Sequence, residues 1–356
     1  MSLGMKLWRA RSGLVDAALW MMRSPRRAWW FLGMGVFLAV AVLGDMADEA
    51  REGGTIEVAS AASNSPVLLV VVGAPGEAEY GSNFLRQASQ WEAAGRQAGV
   101  LVLTLGVDAG APSDRDRLQR IIESVPSNPH LPFWLVLIGH GTWDGKQARF
   151  NLRGPDFTAG ELAAWLQPVR RPVVVVNTAS ASAPFLMALA ATNRVVITAT
   201  RSGDELNYAR FGEHLAPALT DPASDLDKDG QTSLLEAFLT ASARVAEFYK
   251  TEGRLATEHA LVDDNGDGLG TPADWFRGVR AVKKPKEGKL DGLRAHQIHL
   301  LPSPGEKALP LDLRARRDAL EARVAELREA KASLPEEDYY RQLEAILLEL
   351  ARLQLR

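Results

Sequence analysis

Between residues 66 and 200 the chain repeats one pattern: a short, almost unbroken apolar run, then a longer stretch with helical spacing. Val67–Val72, Val100–Leu105, Phe133–Ile138, Val173–Val176 and Val195–Thr200 are the apolar runs, rich in β-branched residues, as in strands covered on both faces. After the first run, Ser82-Asn83 can cap a helix to about Ala98, with Phe84, Leu85, Ala88 and Trp91 on its apolar face. Ser113-Asp114 opens a helix carrying Leu118, Ile121 and Ile122. Thr158 and Glu161 have capping-box spacing for a helix through Leu166. Further helices are predicted over Phe185–Ala190 and Leu234–Tyr249, and a small arm over Arg149–Leu152. Strands separated by helices predict an α/β fold over residues 66–278, a mostly parallel sheet sandwiched by helices.

The flanks have a different texture. Residues 1–27 are basic, and Met5–Met22 is amphipathic, suited to a membrane surface or to a plain tail. Ala28–Gly44 is an uncharged run of about 17 residues, at the short end for a spanning helix. Arg23, Arg26 and Arg27 precede it, while Asp45, Asp48 and Glu49 follow. That asymmetry predicts a single-pass anchor with a cytoplasmic N-terminus and an extracytoplasmic main domain. A cleaved signal peptide and a secreted domain form the rival reading; the long leader and the lack of a small-x-small site favour the anchor. Residues 45–65 read as a linker. Residues 279–310 are linker-like, with a short strand expected at Gln297–Leu301. Over residues 311–356, Leu313, Leu320, Val324 and Leu327 mark one helix. Tyr339, Leu343, Ile346, Leu350 and Leu353 mark a second with a coiled-coil seam. This helical hairpin, Leu313–Arg356, can fold onto its own domain, pair with another copy or take a partner chain.

Composition narrows the classes. A chain of 356 residues, 46% hydrophobic, can bury one sizeable core. A formal charge of −3 argues against nucleic acid as partner. With no cysteine, disulfides, zinc–thiolate sites and thiol nucleophiles are all excluded.

The candidate chemistry sits at two strand ends. Phe133–Ile138 runs into Gly139-His140-Gly141, and Val173–Val176 runs into Asn177, Thr178, Ala179, Ser180, Ala181 and Ser182. Parallel neighbours lie about 4.8 Å apart and ligands collect at their carboxyl ends, so both turns should face one crevice. These residues resemble the legumain-type branch of the caspase-like cysteine peptidases, which includes the catalytic subunit of the GPI transamidase. There, one strand ends in His-Gly and the next in an acidic residue, a small residue and the nucleophilic Cys. The resemblance places the base at His140, the acidic position at Asn177 and the nucleophile at Ala179. Gly145, Phe150-Asn151 and Glu161-Leu162 extend it, as do Val196–Thr200, Glu205 and Tyr208-Ala209 beside the family's substrate pocket. It covers about Pro66 to Trp275 and implies a caspase-like sheet.

Alanine has no nucleophilic atom, so the leading expectation is a peptidase-like domain that binds peptide or protein without cutting it. Ser180 or Ser182 with His140 would make a serine-type hydrolase; against this, no third residue orients the base, and serines in such a turn often cap helices. A scaffold acting through the hairpin is the third reading. Glu205, Asn207 and Tyr208 either line a peptide pocket or pin a surface loop.

A metal motif lies apart. Asp225, Asp227, Asp229, Gln231, Ser233 and Glu236, with Gly230 at the sixth place, match the calcium loop of an EF-hand; the alternative is a solvated acidic turn capping the next helix. Asp263, Asn265, Asp267 and Asp274 form a weaker second set, with Asp in place of the usual Glu and ordinary turn pairs inside it. Ca²⁺ at either would be structural. His296 and His299 fall in the expected strand and are not assigned to a metal.

Overall fold

A computed structural model of the chain describes residues 64–108 and 113–354. The amphipathic Met5–Met22, the apolar Ala28–Gly44 and most of the linker lie outside the described residues. Among the described residues, no helix is long and apolar enough to cross a membrane.

The elements run β1 (Val67–Val72), α1 (Ala78–Ala98), β2 (Leu101–Leu105), α2 (Asp114–Ser124) and β3 (Phe133–Ile138). A side arm follows, β4 (Gly141–Trp143), β5 (Ala148–Phe150) and β6 (Phe157–Thr158), then α3 (Ala159–Leu166), β7 (Val173–Asn177), α4 (Ala183–Leu189) and β8 (Arg194–Thr198). Next come α5 (Phe211–Thr220), α6 (Leu234–Thr251), β9 (Leu261–Asp263), β10 (Thr271–Pro272) and the hairpin β11 (Phe276–Arg277) and β12 (Arg280–Ala281). The chain closes with α7 (Leu293–Gln297), α8 (Pro304–Ala308), α9 (Leu311–Glu329) and α10 (Glu336–Gln354).

Among the described residues the main sheet has the order β10-β9-β8-β7-β3-β1-β2. β2, β1, β3, β7 and β8 are parallel, while β9 and β10 are antiparallel. Odd and even residues of each strand feed different layers, as the pleat requires. Leu68, Val70, Trp134, Val136, Val174 and Ile197 pack under Phe84 and Trp91 of α1, Phe211 and Leu215 of α5 and Phe238 of α6. Leu69, Val71, Leu135, Val175 and Val196 pack under Leu118 of α2, Leu162 of α3 and Phe185 of α4. A single helix between strands restores direction and keeps them parallel; two helices, α5 and α6, separate β8 from β9, so β9 returns antiparallel. The expected mostly parallel α/β sheet flanked by helices is therefore present.

Three details differ from the sequence pattern. α1 begins at Ala78, and Ser82 lies inside it with its hydroxyl donating to Ala78 O (3.3 Å). No side chain caps the true start, so the sequence carries no signal for it. The strand expected at Gln297–Leu301 is absent; Leu293–Gln297 is helical because the Asp264 carboxylate accepts the N–H groups of Gly292 (2.9 Å) and Ala295 (2.8 Å). α5 was not evident in the sequence, since Gly212 and Pro217 interrupt its pattern. Gly212 is required there: a Cβ would fall 2.4 Å from Gln87 Oε1 and 2.8 Å from Thr178 Cβ.

α9 and α10 form the expected hairpin with its own seam, Leu320, Val324 and Leu327 against Tyr339 and Ile346. It is joined to the sheet domain by Glu306, whose carboxylate meets Arg317 (2.5 Å) and Arg314 (2.9 Å), and by Gln297 donating to Glu321 (2.8 Å).

Candidate functional site

The β3–β7 register sets Leu137 against Asn177, so the His140 turn and the 177–182 turn leave the sheet side by side at its carboxyl end. Ser180 ties them together: its Oγ lies 3.2 Å from both the N and the O of Gly141. A Cβ on Gly141 would come 2.3 Å from Ser180 O, so this approach needs glycine.

His140 is oriented by a group that the sequence could not reveal. Its Nε2 is 3.2 Å from the Pro75 carbonyl, which can only accept. In the neutral ring Nε2 therefore carries the hydrogen, and Nδ1 keeps its lone pair. The ring stands edge-on to Tyr80 (centroids 4.8 Å) and Phe84 (5.1 Å), both on α1. Tyr208 lies against Tyr80 (5.2 Å), donates its hydroxyl to Glu213 (2.8 Å) and accepts from Gln87 Nε2 (3.3 Å). Burial first, then the Glu213 charge, holds the Tyr208 phenol far above its ordinary range, so it stays a neutral donor.

The 177–182 turn is held by one bond of its own and by bonds to its neighbours. Asn177 is 1% exposed, and its Oδ1 accepts the Ala179 N–H (3.1 Å). The Ala179 methyl is likewise buried, in the layer that holds Phe150, Phe157 and Phe185. The His140 ring contacts α1, on the other face of the sheet. Ser182 is fully buried; its Oγ accepts from Ala199 N (3.1 Å) and Thr200 N (3.2 Å) and lies 3.2 Å from Thr200 Oγ1. Neither serine hydroxyl is paired with His140. Ala181 holds φ at +51°, a left-handed conformation that costs a non-glycine residue about 1–2 kcal/mol. Its N–H donates to Glu205 O (2.8 Å), which ties the turn to the loop after β8.

That loop is pinned by Glu205. One oxygen lies 2.5 Å from His259 Nδ1, and the other accepts from Arg201 N (2.9 Å) and His259 N (3.2 Å). Asn207 is exposed. Of the three pocket candidates, only Tyr208 joins the aromatic group around His140; Glu205 acts as the loop's clasp.

In the first acidic loop the carboxylates of Asp225, Asp227 and Asp229 converge, with oxygens within 4.8 Å of one another. Asp225 accepts from Lys228 N (2.7 Å) and Gly230 N (3.1 Å), and Asp229 accepts from Gln231 N (3.0 Å). Gln231 Oε1 is spent on Ser303 N (3.0 Å), so its backbone carbonyl is the atom left for a cation. Ser233 and Glu236 form a buried capping box for α6; Glu236 also accepts from Leu226 N (2.7 Å). His296, set aside in the sequence, lies 2.9 Å from Asp227 Oδ2.

In the second loop Asp263 accepts from Gly266 N and Gly268 N (both 2.8 Å), and Asn265 from Asp267 N (2.9 Å). Asp274 is exposed on a 3₁₀ turn and does not close this loop. Asp291 ties this loop down instead, accepting from Asp264 N (3.0 Å), Asn265 Nδ2 (2.7 Å) and Thr271 Oγ1 (2.6 Å). Burial and the adjacent Asp264 push Asp291 up to about 8. Spacing along one loop cannot find it, because it arrives from a different segment.

No family model and no curated protein matches the chain. Among solved structures, the chain is similar to the Drosophila initiator caspase Dronc, at 14% identity and a TM-score of 0.37, over 58% of this chain and 81% of that one. It is also similar to caspase-1 from Spodoptera frugiperda, at 9% identity and a TM-score of 0.36, over 56% of this chain and 87% of that one.

Proposed function

We propose that residues 66–278 are a legumain-type, caspase-like domain that binds peptide or protein segments at the carboxyl end of its sheet and does not cut them. The observation that carries this is the pair of adjacent strand ends: at one, His140 with its Nε2 held by the Pro75 carbonyl; at the other, a buried methyl at position 179, which the resemblance gives to the nucleophile and which packs on the opposite face of the sheet from the His140 ring. The serine-hydrolase reading has less support, because the Ser180 hydroxyl is committed to the backbone of Gly141 and the Ser182 hydroxyl to the N–H groups of Ala199 and Thr200. The rest of the proposal keeps the sequence's expectations of a tether through Ala28–Gly44 with an extracytoplasmic domain and of an association surface on Leu313–Arg356; of the expected Ca²⁺ set Asp225, Asp227, Asp229, Gln231, Ser233 and Glu236, it gives the ion to the three converging aspartates and the Gln231 carbonyl, since Ser233 and Glu236 form the α6 capping box.

A fluorophosphonate probe separates binding from hydrolysis. Wild-type protein should remain unlabelled while binding extended blocked peptides by fluorescence polarisation. Labelling that disappears in both Ser180→Ala and His140→Ala would overturn the proposal.

A further inference from the structure

At the amino end of the sheet, away from the crevice, lies a pocket of about 290 Å³. Pro132, Pro172 and Asn193, which line it, directly precede β3, β7 and β8. The rest of the lining comes largely from the C-terminal segment: Arg294 and Gln297 of α7, Glu306 of α8, and Arg314, Ala315 and Asp318 of α9. Pro129, Pro302, Ile298 and Leu311 add apolar surface.

Its charges are divided between two sides. Arg294 Nη1 donates to Thr192 O (2.6 Å) and Asn193 Oδ1 (3.3 Å), beside the start of β8. Among the described residues those are its side-chain partners, so this guanidinium has no carboxylate. On the α9 side the balance is reversed. Glu306 is shared by Arg314 (2.9 Å) and Arg317 (2.5 Å), and Arg317 also serves Asp318 (2.7 Å) and Glu321 (3.8 Å). Three carboxylates thus share two guanidiniums. Asp318 receives Arg317 on Oδ1 alone, and its Oδ2 has no hydrogen bond among the described residues. Burial raises this carboxyl above its usual range, a cost that a neighbouring ammonium would relieve. His299 lines the same pocket; burial holds its imidazole below the ordinary value, so it adds no charge at neutral pH.

Arg294 and Gln297 stand three positions apart on α7, hence on one face, and Gln297 Nε2 donates to Asp318 O (3.1 Å). The basic and acidic sides are therefore close neighbours. We infer that the pocket binds a free α-amino acid with an apolar side chain: its carboxylate on Arg294, its ammonium on Asp318, and its side chain against the prolines, Ile298 and Leu311. A single α-carbon carries both charges, which is what two adjacent, oppositely charged and incompletely paired walls select. A residue inside a peptide carries neither charge, and a volume at the low end for small-molecule sites holds one amino acid and not a chain. The ligand touches the strand ends and α9 together, so it ties the helical hairpin to the sheet. This site is separate from the crevice and stands whether or not peptide binds there.

L-Leucine is the probe, titrated into the full chain by calorimetry, and it should bind saturably at one site per chain. L-Leucinamide lacks the carboxylate and N-acetyl-L-leucine lacks the ammonium. Each should bind at least about tenfold more weakly, as expected when a charged partner is left alone. L-Asparagine, close to leucine in shape but polar, should be weakened by about tenfold or more as well. Ala315→Trp fills the pocket from an exposed position and should abolish leucine binding. Arg294→Gln should weaken leucine and leave leucinamide unaffected. Amide exchange at the start of α9 should slow when leucine is added. The inference is overturned by the absence of saturable leucine binding, by equal binding of either blocked analogue, or by leucine binding that survives Ala315→Trp.

Discussion

Ser182→Ala is the substitution that best separates a structural serine from a catalytic one. The hydroxyl is fully buried and serves the end of β8, accepting from Ala199 N at 3.1 Å and Thr200 N at 3.2 Å and meeting Thr200 Oγ1 at 3.2 Å. Ala199 N keeps a second acceptor, Asn177 O at 3.0 Å, so it is not orphaned. Thr200 N loses its acceptor in a place closed to water. An orphaned buried N–H costs about 1–3 kcal/mol and a lost hydroxyl contact about 0.5–1.5 kcal/mol, so the sum is about 1.5–4.5 kcal/mol. At about 2 °C per kcal/mol for a unit of this size, Tm should fall by about 3–9 °C. Urea unfolding should show a lower midpoint at unchanged slope, the mark of lost stability without a changed denatured state. A Tm within 1 °C of wild type would refute the reasoning. So would a stable variant that loses a fluorophosphonate signal present in the wild type.

Three further outcomes are expected. Burial holds the His214 imidazole below its ordinary value, against the pull of Glu213; its stabilising share is complete above about pH 6.5 and lost as pH falls through the lower folded value. His214→Gln should therefore lose less stability than wild type between pH 7 and pH 5, and an identical slope of Tm against pH would count against that assignment. Calcium should raise Tm over an EDTA control, by about 2–4 kcal/mol of stabilisation at a hundredfold or greater excess over Kd, and Asp229→Asn should blunt the response; no shift in wild type removes the site. Ile346→Ala cuts into the hairpin seam, where Ile346 is 4% exposed, and should cost about 2–4 kcal/mol; hydrogen exchange should locate the loss in α9 and α10, and a loss spread evenly over the sheet would contradict a separate seam.

The sheet was legible because parallel strands buried on both faces must be continuously apolar, and each of the five runs from Val67 to Thr198 became one strand. Elements stabilised from a distance were not. α7 depends on the Asp264 carboxylate, and α5 is capped by Glu258 across 47 positions, so neither carries its own signal. β9 has only three residues and merges into an acidic loop. At the site, His140 and the 177–182 turn were visible because they follow strands. The orienting carbonyl of Pro75 was not, being a backbone atom 65 positions away. Side-chain direction was also hidden: adjacency of β3 and β7 was correctly inferred, but the opposite layers of the His140 ring and the Ala179 methyl appear only in the packing. A cleft of about 550 Å³ beside α6 is lined by Leu239 and Ala246 of that helix, by Ala256 and Ala260, and by Ala273 and Phe276, a combination that no local motif announces.

Ala179→Cys tests the central claim most directly. The chain has no cysteine of its own, so the variant carries a single thiol whose reactivity can be read without background. Set in an apolar layer across the sheet from His140, that thiol should be ionised only at high pH and react roughly 100-fold more slowly with a disulfide reagent than the exposed control Asn207→Cys. The peptides that the domain binds should remain uncut. Fast alkylation with an ionisation below about pH 7, together with peptide cleavage that vanishes when His140→Ala is added, would contradict the account.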